Sequence, residues 1–165
     1  MKGHMHKLIR IISTAEDQEA AAESAYAFAD DLVERGDFDY YLVNSERHEE
    51  SGYTYSLAEA AGKLLVAEAL KENRAAFDRA IRVTRFMLAH YSDEQIYQDT
   101  YAEQPEDVYL SRHQFGIVGG YTNDCYIYGD DSIWGEKIQN DNDYGLASQD
   151  IADGQLWVTS LDMHH

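Results

Sequence analysis

Cysteine and proline each occur once in this 165-residue chain, and only five of its 13 basic residues are lysine. The single thiol, Cys125, has no internal disulfide partner, and without a CxxC pair there is no pattern for a structural zinc. Cys125 reads as a small buried apolar side chain, and the scarcity of thiols suits a reducing cytoplasm. No apolar run approaches the roughly 20 residues that span a bilayer. The opening MKGHMHKLIRII lacks a long apolar region and a small-residue cleavage site, so no signal peptide is expected. Its first residues read as a leader ahead of a start at Met5, and residues 1–6 as flexible. No GxSxG, GxxxxGK[ST] or GxGxxG pattern is present. Gly116, Gly119 and Gly120 approach the last loosely, but no helical pattern follows to offer its N-terminus to a phosphate.

What the chain has in excess is acid. Asp and Glu number 31 against 13 Lys and Arg, a formal net charge of −18. Binding to free nucleic acid or to an anionic membrane rests on Lys and Arg, so both are unexpected as direct partners. Hydrophobic residues at 44% exclude a disordered acidic tail. The acid is spread along the whole chain, as adaptation to a saline cytoplasm would have it, with repulsion screened and carboxylates keeping the surface hydrated. Mimicry of DNA, which needs only one charged face, is the other reading.

Local patterns come next. LIRIIS (Leu8 to Ser13) reads as a strand, and Ser13-Thr14-Ala15-Glu16 matches a capping box for a helix from about Ala15 to Arg35. Ala21, Ala25, Phe28 and Leu32 fall on one stripe of that helix, and Gly36 stands at its C-cap. FDYYLV (Phe38 to Val43) reads as a second strand, parallel to the first. A polar loop over residues 44–55 leads to a second capping box, Ser56 to Glu59, and an Ala- and Leu-rich helix. Asn73 reads as a cap for a further segment to Tyr91; the pattern leaves open whether the two segments are one helix. Ser92 to Gln95 is a third capping box, for a short helix that reaches Tyr101 and ends before Pro105. Residues 107–118 and 124–134 read as strands joined by a glycine turn, NDNDYG (Asn140 to Gly145) as a loop, and QLWVTSLDM (Gln155 to Met163) as the final strand. The expectation is one α+β domain over residues 1–165: a mixed, mostly antiparallel sheet with an N-terminal β-α-β unit and helices packed on one face.

Several clusters carry possible chemistry. Gly129-Asp130-Asp131, flanked by YIY and SIW, resembles over four residues the metal-binding turn of RNA-dependent polymerases, where paired aspartates hold two cations roughly 4 Å apart. The chain is too short for a polymerase hand and lacks the basic residues that grip template and triphosphate, so the stretch reads as a turn. Asn140 to Gly145 has the look of a calcium loop. Its register fails, because Tyr144 takes an oxygen-ligand position and Ile151 stands where a bidentate Glu belongs. A metal reading would therefore draw on Asp130, Asp131, Asp141, Asp143 and His113. His4-Met5-His6 has an HxH spacing, in a segment that reads as a leader, and the terminal His164-His165 reads as an adventitious metal binder. Thirteen tyrosines are a further surplus. Tyrosine covers apolar surface while keeping a polar tip, which suits interfaces. Tyr40, Tyr41, Tyr126, Tyr128 and Trp134 are the interface candidates.

These observations favour a small, acidic, salt-adapted cytoplasmic domain that works through protein–protein contact, as a homo-oligomer or with another protein, without catalysis and without a cofactor. The alternatives are a metal-dependent hydrolase or nuclease built on the clustered aspartates, and an acidic DNA mimic that inhibits a nucleic-acid-binding protein.

Overall fold

The computed structural model describes residues 5–105, 107–122, 124–133 and 136–165. The chain divides by packing into two compact units. One runs up to Glu72 and resumes at Cys125–His165; the other is Asn73–Asp124.

Two long strands centre the first unit. β1 (His6–Thr14) and β5 (Leu156–His164) pair antiparallel along their length, from His6 opposite His164 to Thr14 opposite Leu156. On the far side of β5 lie β2 (Tyr40–Leu42) and β3 (Thr54–Ser56), both antiparallel to it, and on the far side of β1 lies β4 (Ile127–Gly129), parallel to it. The sheet is therefore mixed, and β2 stands at its edge. β1 and β2 do run in the same direction, as the strand–helix–strand reading requires, but β5 is inserted between them. Alternation along β1 and β5 sends side chains to opposite faces. Ile9, Ile11, Leu161 and Met163 pack with Ala25, Phe28 and Leu32 of α1 (Gln18–Glu34). Ile12, Leu156 and Val158 pack with Leu65, Val66 and Ala69 from the first half of α2 (Ala60–His90). Helices thus cover both faces rather than one. Cys125 is buried, as its composition argument suggests.

Local chemistry sets the element ends. α1 begins at Gln18, not Ala15, because the β1–β5 ladder continues further: the Ala15 N–H donates to Gln155 O at 3.0 Å, and the Trp157 indole donates to Ala15 O at 3.1 Å. The cap is Asp17, whose carboxylate accepts from the Ala20 N–H at 2.9 Å. Ser56 closes β3 rather than capping a helix. α2 runs unbroken from Ala60 to His90, with Asn73 buried inside it. Gly62 in its first turn is required by close approach, since a Cβ there would sit 2.3 Å from the Ser56 carbonyl oxygen.

In the second unit α3 (Asp93–Gln98) has the expected capping box, with Ser92 and Gln95 exchanging hydrogen bonds. Asp99, in the left-handed region at φ 56°, ends that helix before Tyr101. The stretch read as a strand over 107–118 is instead coil followed by α4 (His113–Gly119). Ser111 Oγ accepts from the His113 N–H at 3.1 Å and Asp99 accepts from the Arg112 N–H at 3.0 Å, which satisfies donors at the helix start. Gly120 ends α4 in the left-handed region at φ 73°. Val83, Met87 and Leu110 form this unit's core, with Phe86, Tyr91, Tyr101 and Phe115 around them.

Two further expectations are corrected in the first unit. Of the strand foreseen over 124–134, only β4 forms among the described residues, because Asp130 turns the chain. The foreseen loop at 140–145 starts α5 (Asp141–Ser148): the Asn140 side chain accepts from the Asp143 N–H at 2.9 Å, and Asp143 accepts from the Gln139 N–H at 3.0 Å. The residues with the look of calcium ligands are helix-capping residues.

Candidate functional site

The Gly-Asp-Asp stretch sits where β4 ends. The Asp130 N–H donates to Ile12 O at 3.0 Å, extending the ladder by one bond. Asp130 is 3% exposed. One oxygen accepts from Ser24 Oγ at 2.5 Å; the other accepts from the Ser132 N–H at 2.9 Å and from the Ser132 hydroxyl. Ser132 in turn accepts from the Thr14 N–H at 2.7 Å, so Asp130 ties β1, α1 and the turn together. Asp131 points into solvent. Both aspartates line an open cleft of about 450 Å³ with Asp31, Glu34, Arg35 and Glu136. Arg35 donates to Glu136 and to Asp37 at 2.8 Å, and the Glu136 hydrogen bond is the main cause that raises its pKa above the ordinary guanidinium value.

The other metal candidates lie elsewhere in the chain. Asp141 and Asp143 occupy the first turn of α5. His113 begins α4 in the second unit, its Nε2 2.9 Å from an Asp124 oxygen. Among the described residues, no three His, Cys, Asp or Glu side chains form a group able to hold a metal ion.

The tyrosine candidates separate by burial. Tyr128 is 1% exposed and packs between the Phe28 and Phe38 rings, so it is core and not surface. Tyr126 is half-buried against the same core, with the Lys7 ammonium 5.2 Å from its ring centre. Tyr41 is half-buried and donates to Asp30 at 2.9 Å; burial first and that hydrogen bond second push its pKa up to about 12. Tyr40 is 43% exposed and stacks on the His164 ring at 4.3 Å. Trp134 lies outside the described residues. Leu42 and Val43 follow Tyr40, at 41% and 45% exposure. The edge strand β2 and Val43 after it therefore show solvent apolar side chains beside a backbone edge that has no partner strand among the described residues.

Beneath this edge is a polar cluster that the sequence reading set aside. On one face of the sheet, His6 of β1 lies opposite His164 of β5, their rings edge to face at 4.8 Å. His6 Nδ1 is 3.1 Å from a carboxylate oxygen of Asp162, which is fully buried and also accepts from Ser45 Oγ. His164 Nδ1 stands 3.6 Å from Asp39. In LDMHH, Leu161 and Met163 alternate with Asp162 and His164, so the strand period alone assigns the two polar residues to a shared face. Further along that face, Arg10 is buried, donating to Glu72 at 2.6 Å and to Leu8 O at 2.8 Å. A half-exposed carboxylate and a carbonyl thus hold its charge.

No family model, curated protein or solved structure matches the chain.

Proposed function

We propose that the protein works through protein–protein contact rather than catalysis, and that the β2 edge joins a second copy of the chain in a saline cytoplasm. The observation that supports this reading is that Tyr40 and Leu42 of β2, and Val43 just after it, are exposed on a strand whose outer edge has no partner strand among the described residues. An open edge is a template for another strand, and the stacked Tyr40–His164 pair gives this one a rigid aromatic shoulder. Two copies of β2, paired antiparallel about a two-fold axis, extend the sheet across the dimer.

Charge regulates the pairing. Asp37 and Asp39 precede the strand, and the exposed Glu46, Glu49 and Glu50 follow it. At about 0.1 M salt, charges interact over about 10 Å and the two acidic rims repel; at about 1 M that range falls to about 3 Å and the apolar row is free to pair. Light scattering behind size exclusion tests this. The expected result is a dimer at molar KCl that dissociates as salt is lowered, and a Leu42→Lys variant that stays monomeric throughout with an unchanged circular dichroism spectrum. A monomer at every salt concentration overturns the reading.

A further inference from the structure

The arginines are not distributed like the acid. The second unit, residues 73–124, holds five arginines and eight carboxylates, a net of −3, which leaves −15 on the rest of the chain. Within it, the stretch from Asn73 to Ser92 has four arginines, no lysine and one acid, Asp78. All four arginines lie on the second half of α2 and all are exposed.

Their spacing gathers them. At 3.6 residues per turn, Arg74, Arg82 and Arg85 fall within about 80° of arc. The buried Ala76, Ala80, Val83 and Met87 occupy the opposite side of the helix. Next to the arginines, on the solvent side, stand Phe77 at 39% and Leu88 at 64% exposure. Arg74 is held by Asp78 at 2.9 Å, and its guanidinium carbon is 5.9 Å from the Phe77 ring centre. Arg79, Arg82 and Arg85 have no ion-pair partner among the described residues. Arg79 lies on another side of the helix, but in a chain with 31 carboxylates the unpaired Arg82 and Arg85, with Arg74 and two exposed apolar side chains next to them, form a distinct surface.

We propose that this face of α2 docks an acidic amphipathic helix of a partner protein. Its carboxylates meet Arg82 and Arg85, where the planar guanidinium gives paired hydrogen bonds, and its apolar residues cover Phe77 and Leu88. Phosphate backbones fit worse, because Phe77 and Leu88 find no apolar counterpart on them. An anionic bilayer finds too few apolar side chains here to insert. The chain's own long acidic helix, α1, exposes no large hydrophobic side chain and so does not supply the match. The surface shares no residue with the β2 edge.

The test is calorimetric titration of the full chain at the lowest KCl concentration where circular dichroism shows it folded. The probe is a synthetic helical peptide of about five turns, with Leu at i, i+4 and i+7 and Glu around them. The expected result is saturable binding that weakens by about tenfold or more in an Arg82→Glu, Arg85→Glu variant and again in Leu88→Asp, with Leu42→Lys binding like the parent. All of these positions are exposed, and their spectra check that the fold survives. The proposal is overturned by no binding of the peptide, by equal binding of a version with Gln for Leu, or by tighter binding of a single-stranded oligonucleotide or of anionic vesicles.

Discussion

Asp130 is the residue where a catalytic appearance and an architectural role meet. An aspartate pair after a strand suggests a cation, yet the buried carboxylate already accepts from Ser24 and twice from Ser132. Hydrogen bonds to a charged acceptor are the stronger kind. Asp130→Asn keeps the shape, removes the charge and turns an amide donor toward existing donors. The expected cost is about 1–3 kcal/mol, read from urea unfolding in molar KCl. An unchanged midpoint would mean that the carboxylate contributes nothing to the fold and is held for another purpose. Tyr128, two residues earlier, carries the opposite lesson. Strand alternation places it on one face with Tyr126, but only the distant Phe28 and Phe38 decide that it is buried. No local pattern contains that contact.

At the scale of elements, Gly62 is the sharpest case. Glycine inside a helix ordinarily costs about 1 kcal/mol relative to alanine, so Gly62→Ala looks like a stabilising change. Here the added methyl would lie 2.3 Å from the Ser56 oxygen and 2.9 Å from the Ser56 carbonyl carbon, both backbone atoms that no rotamer change can move. The expected outcome is a net loss of about 1–3 kcal/mol, as for other overpacked sites. A more stable variant would show that β3 can draw away from α2 freely. Elements whose signal is local were legible: β1 and β5 from their β-branched runs, α1 from its stripe, α3 from its capping box. Those whose signal is short or shared were not. HQFGIVG carries too few residues for a period to separate helix from strand, and becomes a helix once Ser111 and Asp99 take its first donors. NDND reads equally as ligands or as caps, and Gln139 and Asp143 decide for caps through contacts that the spacing does not reveal. Of the candidate surface, Tyr40 was legible as a strand tyrosine but not as an exposed one, since the same pattern named the buried Tyr128. The His6–Asp162–His164 cluster was not, because it joins residues at opposite ends of the chain.

For the whole molecule, net charge is a coarse guide: it hides the arginine face of α2 behind the acid of the first unit. That unit's −15 should govern how the protein responds to salt. Its carboxylates include the exposed Glu19, Glu23, Asp30, Asp31 and Glu34 along α1, with Asp131 and Glu136 across the adjoining cleft. At low ionic strength these like charges act on one another across about 10 Å, and compaction raises their repulsion; molar salt shortens that reach to about 3 Å. Relief of a few kcal/mol at about 2–4 °C per kcal/mol predicts a melting temperature about 10 °C higher in molar KCl than in about 0.1 M. Melting followed by circular dichroism, with glucose in place of KCl as the control for solvent effects that do not screen charge, measures it directly. A mimic of DNA has to hold its acidic face together in dilute buffer. A melting temperature that does not depend on salt would therefore move the explanation of the charge from the solvent to a basic partner.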